Sequence, residues 1–150
     1  MLISVKDNFL QLEDLEFLRA YAIENVNTIL KDESLTLWFW RKYREKLLEI
    51  NSRWVGLYPD VTITNSSKPI GKHQDRTTIT QAREKLLIYL NEVPNGGTVF
   101  FVAGEEVLIK NKVNRLVCFD IQLYHQSENF KVEGQLVNKL AIGFRPVTSF

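Results

Sequence analysis

The chain contains only two histidines. One stands in the triplet His73-Gln74-Asp75 and the other, His125, lies fifty positions beyond Asp75. In extended backbone, residues two apart project to the same side. The triplet therefore aims an imidazole and a carboxylate at one point. Two imidazoles and one carboxylate on one face of a metal are the ligand set of non-haem iron(II) sites. Three protein ligands on an octahedral ion leave three positions open, enough for a bidentate 2-oxo acid and dioxygen. Imidazole nitrogen and carboxylate oxygen suit Fe(II), and a single cysteine cannot supply a structural zinc site. The same three residues also fit two satisfied histidines and a surface aspartate. Their setting favours the metal: the triplet follows a polar loop, and His125 is expected just after two strands at 115–119 and 120–123.

Around these residues the pattern divides into a helical front and a strand-rich remainder. Ile3-Ser4-Val5 alternates as a short strand. Residues 12–25 read as a helix, with Leu15, Leu18 and Ala22 at steps of three and four. A second helix is expected over 34–50, burying Trp40, Tyr43, Leu47 and Ile50, with Arg41, Lys42, Glu45, Lys46 and Glu49 on its solvated face. Strands are expected at 53–58 and 61–64 about a Pro59-Asp60 turn. Asn65-Ser66-Ser67-Lys68-Pro69 reads as a loop, and 85–90 as a strand buried on both faces. Pro94-Asn95-Gly96-Gly97 is a tight turn. Further strands are expected at 98–102, 107–109, 115–119 and 136–144. Helices followed by many short strands indicate a mainly β (α+β) fold, a sandwich or jelly roll with the N-terminal helices packed outside.

At 150 residues the length suits one domain, 1–150, able to bury a core without disulfides. A net charge of +1 gives no field favouring nucleic acid or an anionic membrane. Cys118, within Leu116-Val117-Cys118-Phe119, reads as a buried strand residue more than a reactive thiol. No signal-peptide pattern opens the chain, and no apolar run approaches the ~20 residues needed to span a bilayer. These features point to a cytoplasmic setting.

Several stretches in order resemble the prolyl 4-hydroxylase-like branch of the 2-oxoglutarate/Fe(II) dioxygenases. They are Val5-Lys6-Asp7-Asn8-Phe9-Leu10; His73-Gln74-Asp75; Leu87-Ile88-Tyr89-Leu90-Asn91 with Gly96-Gly97-Thr98-Val99-Phe100; Arg115 through Asp120 leading to Tyr124-His125; and Lys139-Leu140-Ala141-Ile142-Gly143-Phe144. The similarity covers most of the chain. It implies a double-stranded β-helix with iron(II) at one mouth on His73, Asp75 and His125, and 2-oxoglutarate and O2 as co-substrates. It further implies that Lys139 pairs with the distal carboxylate of 2-oxoglutarate. Tyr89 matches a position that often gives that carboxylate a second hydrogen bond, and Tyr58 resembles a co-substrate-lining tyrosine. Arg145 shares the strand parity of Lys139 and is a rival for the carboxylate, although roughly 20 Å separates the two along an extended strand. Small residues beside Lys139, namely Ala141 and Gly143, would leave room for a ligand. Asn114 stands where the family often has glycine, and Lys139 follows His125 by fourteen positions, implying a longer loop through 129–135.

The implied activity is hydroxylation, probing first a peptidyl, prolyl-type substrate and yielding succinate and CO2. Asp75 favours hydroxylation over halogenation, because its carboxylate fills the position a halide would need. The polar loop 65–72 is a candidate lid. A small-molecule hydroxylase of the same family is the nearest alternative. A metal-free jelly-roll binding module would leave both histidines unexplained. An RNA-binding use of the 38–53 helix is disfavoured by the acidic residues that interrupt its basic face.

Overall fold

The structure is a computed structural model, describing residues 2–25, 28–75, 81–130 and 138–149. Two helices lead. α1 (Leu12–Glu24) carries Glu13 and Asp14 in its first turn, where negative charge opposes the positive end of the helix dipole. It buries Leu15, Leu18 and Ala22. α2 (Glu33–Ile50) starts at Asp32, whose side chain accepts the Leu35 N–H at 3.0 Å, satisfying one of the first-turn donors. Its buried face is Leu35, Phe39, Tyr43 and Leu47. Tyr43 and Leu47 are buried as expected, whereas Trp40 and Ile50 are only partly covered at the edge of that face. Lys42 and Tyr43 both donate to Asp14, tying α2 to α1.

Among the described residues nine strands form two antiparallel sheets. They are β1 (Ile3–Lys6), β2 (Thr28–Lys31), β3 (Trp54–Ser66), β4 (Glu84–Tyr89), β5 (Thr98–Val102), β6 (Glu105–Ile109), β7 (Leu116–Asp120), β8 (Tyr124–Ser127) and β9 (Lys139–Thr148). The larger sheet runs β1-β7-β4-β9-β3-β2 and the smaller β6-β5-β8. The jelly-roll expectation holds. Helices α1 and α2 cover the outer face of the large sheet, where Phe39, Leu18 and Leu47 pack with Ile63, Leu86, Ile88, Ile142 and Phe144. A smaller cluster of Tyr89, Phe100, Val117, Phe119 and Ala141 lies between the sheets. No helix among the described residues is long and apolar enough to cross a membrane.

Four expectations change. Pro59-Asp60 is not a turn: β3 runs through it, with its register against β9 shifting between Leu57 and Val61. The irregularity frees proline from the ladder donation it cannot make. The strand β2, read from the sequence as no element, pairs Thr28–Lys31 with β3 at the sheet edge. Residues 120–123 are not a second strand before His125; β7 ends at Asp120, a turn follows, and His125 lies within β8. The final strand begins at Lys139 and continues to Thr148. The expected start at 136–137, and most of the 129–135 loop, lie outside the described residues.

Candidate metal centre and co-substrate cavity

His73 and His125 are brought together by backbone pairing. His73 N–H donates to the His125 carbonyl at 2.9 Å, and His125 N–H returns the bond at 2.9 Å. The triplet is thus a single bridge against β8 rather than a strand of its own. Each imidazole places Nδ1 against a main-chain carbonyl, His73 at 2.7 Å from Gly71 O and His125 at 3.2 Å from Leu123 O. A carbonyl can only accept, so Nδ1 carries the proton in each ring and Nε2 is left as the ligand nitrogen.

Both Nε2 atoms face Asp75, His73 at 3.2 Å from Oδ1 and His125 at 3.4 Å from Oδ2. One ligand atom from each residue lies within 4.8 Å of the other two. The donor chemistry, the freed Nε2 atoms and the convergence all fit a divalent metal of the iron class. His125 is packed by Phe100 and Phe119, with ring centroids 5.4 and 4.9 Å away, whereas the His73 side chain remains 37% exposed at the mouth.

Lys85, on β4, opens what reads in the sequence as an apolar run. In the structure it is buried, with Nζ 3.0 Å from Asp75 Oδ2. Its signal was in the alternation: Lys85, Leu87 and Tyr89 share one strand face. Arg145 donates from Nη1 to the Asp75 carbonyl at 2.8 Å. Burial would push the Asp75 carboxyl up. Hydrogen bonds that the His125 and His73 rings donate when Nε2 is also protonated, together with the charge of Lys85, outweigh that and hold it far below the usual carboxylate range. The hydrogen bond to Asp75 raises His73 against an opposing desolvation. Desolvation lowers Lys85, with Asp75 opposing.

A cavity of about 120 Å³ opens beside the triad, lined among others by Thr62, Thr64, Lys85, Thr98, Ser127 and Lys139. Lys139 sits at the start of β9, where Asn91 brackets it: Asn91 Oδ1 accepts Leu140 N–H at 2.9 Å and Nδ2 donates to Asn138 O at 2.8 Å. Its ammonium lies 5.5 Å from the ring centroids of both Tyr89 and Phe130. Among the described residues no carboxylate reaches it as an ion pair within 4 Å. Desolvation pushes it down to about 8, with Glu128 opposing. Thr98 lines the cavity, and the buried Tyr89 stands behind it, its hydroxyl hydrogen-bonded with Thr98 Oγ1 at 2.6 Å.

The other candidates fall elsewhere. Arg145 is committed to Asp75 and does not line the cavity. Tyr58 is half-buried in the irregular part of β3, also off the lining. Gly143 does not leave ligand space: a Cβ there would meet Lys85 Cε at 2.6 Å, so the lysine stem fills the gap. Cys118 is buried and pushed up to about 12 by desolvation, an inert thiol. Asn114 takes the positive φ its position requires (64°) and hydrogen-bonds both main-chain groups of Leu10 at 2.8 Å.

No protein-family model matches the chain, and no curated protein matches it. Solved structures do. A Pseudomonas putida prolyl-4-hydroxylase is 15% identical with a TM-score of 0.66, over 99% of this chain and 93% of that one. A Trichoplax adhaerens prolyl hydroxylase, solved with a hypoxia inducible factor oxygen degradation domain peptide fragment, is 15% identical with a TM-score of 0.71, over 97% and 83%. HygX from Streptomyces hygroscopicus, solved with nickel and 2-oxoglutarate, is 14% identical with a TM-score of 0.67, over 99% and 82%. At these identities the likeness is one of fold: the chain has the double-stranded β-helix of the 2-oxoglutarate/Fe(II) oxygenases.

Proposed function

We propose that residues 1–150 act as one Fe(II)- and 2-oxoglutarate-dependent oxygenase domain that hydroxylates a C–H bond of its substrate. One observation carries the reading: two imidazole Nε2 atoms, each freed by an Nδ1 bond to a carbonyl, converge with Asp75 beside a cavity whose wall bears a buried lysine with no ion-pair partner among the described residues. His73, Asp75 and His125 would hold the metal. When bound, iron and 2-oxoglutarate supply an oxidant powerful enough to hydroxylate unactivated carbon, with succinate and CO2 as co-products.

The chain's own residues bind, orient and exclude water. Lys139 pairs with the distal carboxylate of 2-oxoglutarate, since a buried carboxylate needs a charged donor. The Tyr89–Thr98 hydroxyl pair stands ready to donate to the same carboxylate. Phe100 and Phe119 shield His125, and Leu87 and Ala141 give the cavity its apolar wall. Pockets for drug-sized ligands run to roughly 300–1,000 Å³, so this smaller cavity suits the co-substrate, and the substrate approaches over the exposed edge of His73. An open approach of this kind suits a segment of peptide, and a structural neighbour is a prolyl hydroxylase bound to one. The single buried Cys118, with no disulfide, supports placing the chain in a reducing, cytoplasmic setting.

Anaerobic addition of Fe(II) and then 2-oxoglutarate is expected to give a weak visible charge-transfer band. Its absence would favour a metal-free binding module. A screen of peptides and metabolites for stimulated succinate release, with mass analysis for one added oxygen, then separates peptidyl from small-molecule substrates.

A further inference from the structure

Lys85 and Lys139 both reach the cavity from buried positions, yet they stand differently. Lys139 has no carboxylate within ion-pair distance among the described residues. The Lys85 ammonium is already engaged, 3.0 Å from Asp75 Oδ2. Its strand, β4, lies between β7 and β9 inside the large sheet, so its Cα has little freedom. Its stem is held too. It crosses over Gly143, where a Cβ would come within 2.6 Å of Cε and 3.4 Å of Nζ. From the other side Arg145 fixes the Asp75 main chain through its carbonyl. Asp75 is thus gripped at its backbone and at one oxygen, while Oδ1 faces His73 Nε2 at 3.2 Å.

A carboxylate can ligate through one oxygen or through two. On an octahedral ion already holding two imidazoles, the first leaves three positions open and the second leaves two. We propose that Lys85 is a positioning residue that keeps Asp75 monodentate: by occupying Oδ2 it leaves Oδ1 alone for the metal and preserves the third open position. The proposal rests on the metal-site reading above and assigns to this chain's own lysine the task of setting how many positions the site offers. Gly143 has a matching role, because only a residue without a side chain lets the lysine lie where it does.

The test uses the full chain with Mn(II) alone, reading bound metal by titration and exchangeable waters on it by proton relaxivity. Wild type should bind Mn(II) with three exchangeable waters. Lys85→Met should lose one, lowering the relaxivity of bound Mn(II) by about one third. Lys85→Gln, which keeps a donor toward Oδ2, should restore the wild-type value. Removing Lys85 leaves Asp75 without its partner in the metal-free protein, so Gly143→Ala is the second arm. It displaces the ammonium without deleting it and should lower relaxivity in the same direction. Unchanged relaxivity in whichever of Lys85→Met and Gly143→Ala folds overturns the proposal. Failure of wild type to bind Mn(II) at all is a different result, and it overturns the metal-site reading instead.

Discussion

The two faces of β9 are both closed to solvent but are filled by opposite means. Toward the helices the strand turns Leu140, Ile142 and Phe144, each at most 1% exposed, and Phe144 stacks on Phe39 with ring centroids 4.3 Å apart. Toward the small sheet it turns Lys139, Ala141, Gly143 and Arg145, with both charged side chains only 5% exposed. Dispersion and water exclusion account for the first face. The second must satisfy buried charge, which is costly unless partnered. Arg145 and Lys85 find their partner in Asp75; Lys139 is left facing the cavity. Burial alone therefore does not separate scaffold from site. What separates them is whether each buried polar group is completed by a partner among the described residues or left facing the cavity.

The strongest way to break this contrast is at the residue the charged face is built around. Asp75→Ala should abolish measurable Fe(II) binding and succinate formation without substrate. It also strands Lys85, and breaking a buried pair in this way typically costs about 3–5 kcal/mol of stability. Metal titration and urea unfolding check the two consequences, and wild-type-like turnover would refute the ligand assignment. Phe144→Ala provides the control from the other face. Loss of a buried phenylalanine costs about 3–5 kcal/mol, but the folded fraction should keep its metal affinity. A tenfold change in that affinity would mean that the two faces are not separable.

Those variants also indicate what the residues disclosed before any coordinates. The β9 alternation was readable, since Leu140, Ile142 and Phe144 step by two and no charge interrupts them. The residue types that could hold a metal, and their approximate convergence, were readable because two histidines in the whole chain leave few combinations. Their mutual support was not: that His73 and His125 hydrogen-bond to each other depends on a long-range pairing across fifty-two positions. Lys85 is hidden by its apolar neighbours, and Gly143 reads as ligand space because its filler comes from another strand. Pro59 looked like punctuation, since a turn and a strand irregularity both accommodate a missing N–H. Strand β2 has an exposed pattern with no apolar alternation to announce it.

A smaller effect sharpens the difference between the two cations on the charged face. Charged hydrogen bonds contribute about 1.5–3 kcal/mol, so Lys139→Ala should raise the KM for 2-oxoglutarate by about 10–150-fold. Arg145→Ala should leave that KM within about threefold and act instead on metal affinity, by loosening Asp75. Steady-state kinetics at saturating Fe(II) decide the ranking, and the reverse order would give the carboxylate to Arg145.

The mildest perturbation is pH, which acts on the charged face and leaves the apolar one untouched. Burial sets the Lys139 ammonium at about 8 in the free protein, against roughly 10.4 for an unfolded lysine. Below about 8 both states hold the proton, and the folded state bears the desolvation of a charge. Between about 8 and 10.4 the unfolded chain binds the proton and the folded one does not, so this group's contribution to stability rises with pH across that window. Binding of the dicarboxylate runs the other way, because it needs the charged form: kcat/KM for 2-oxoglutarate should fall about tenfold per pH unit above about 8. Lys139→Met should flatten both profiles, while Phe144→Ala should shift the stability curve without changing its shape. Saturating 2-oxoglutarate, by supplying the missing counter-charge, should suppress the alkaline gain in stability. Persistence of that gain in Lys139→Met would assign it to another group and remove Lys139 as the residue that senses the ligand.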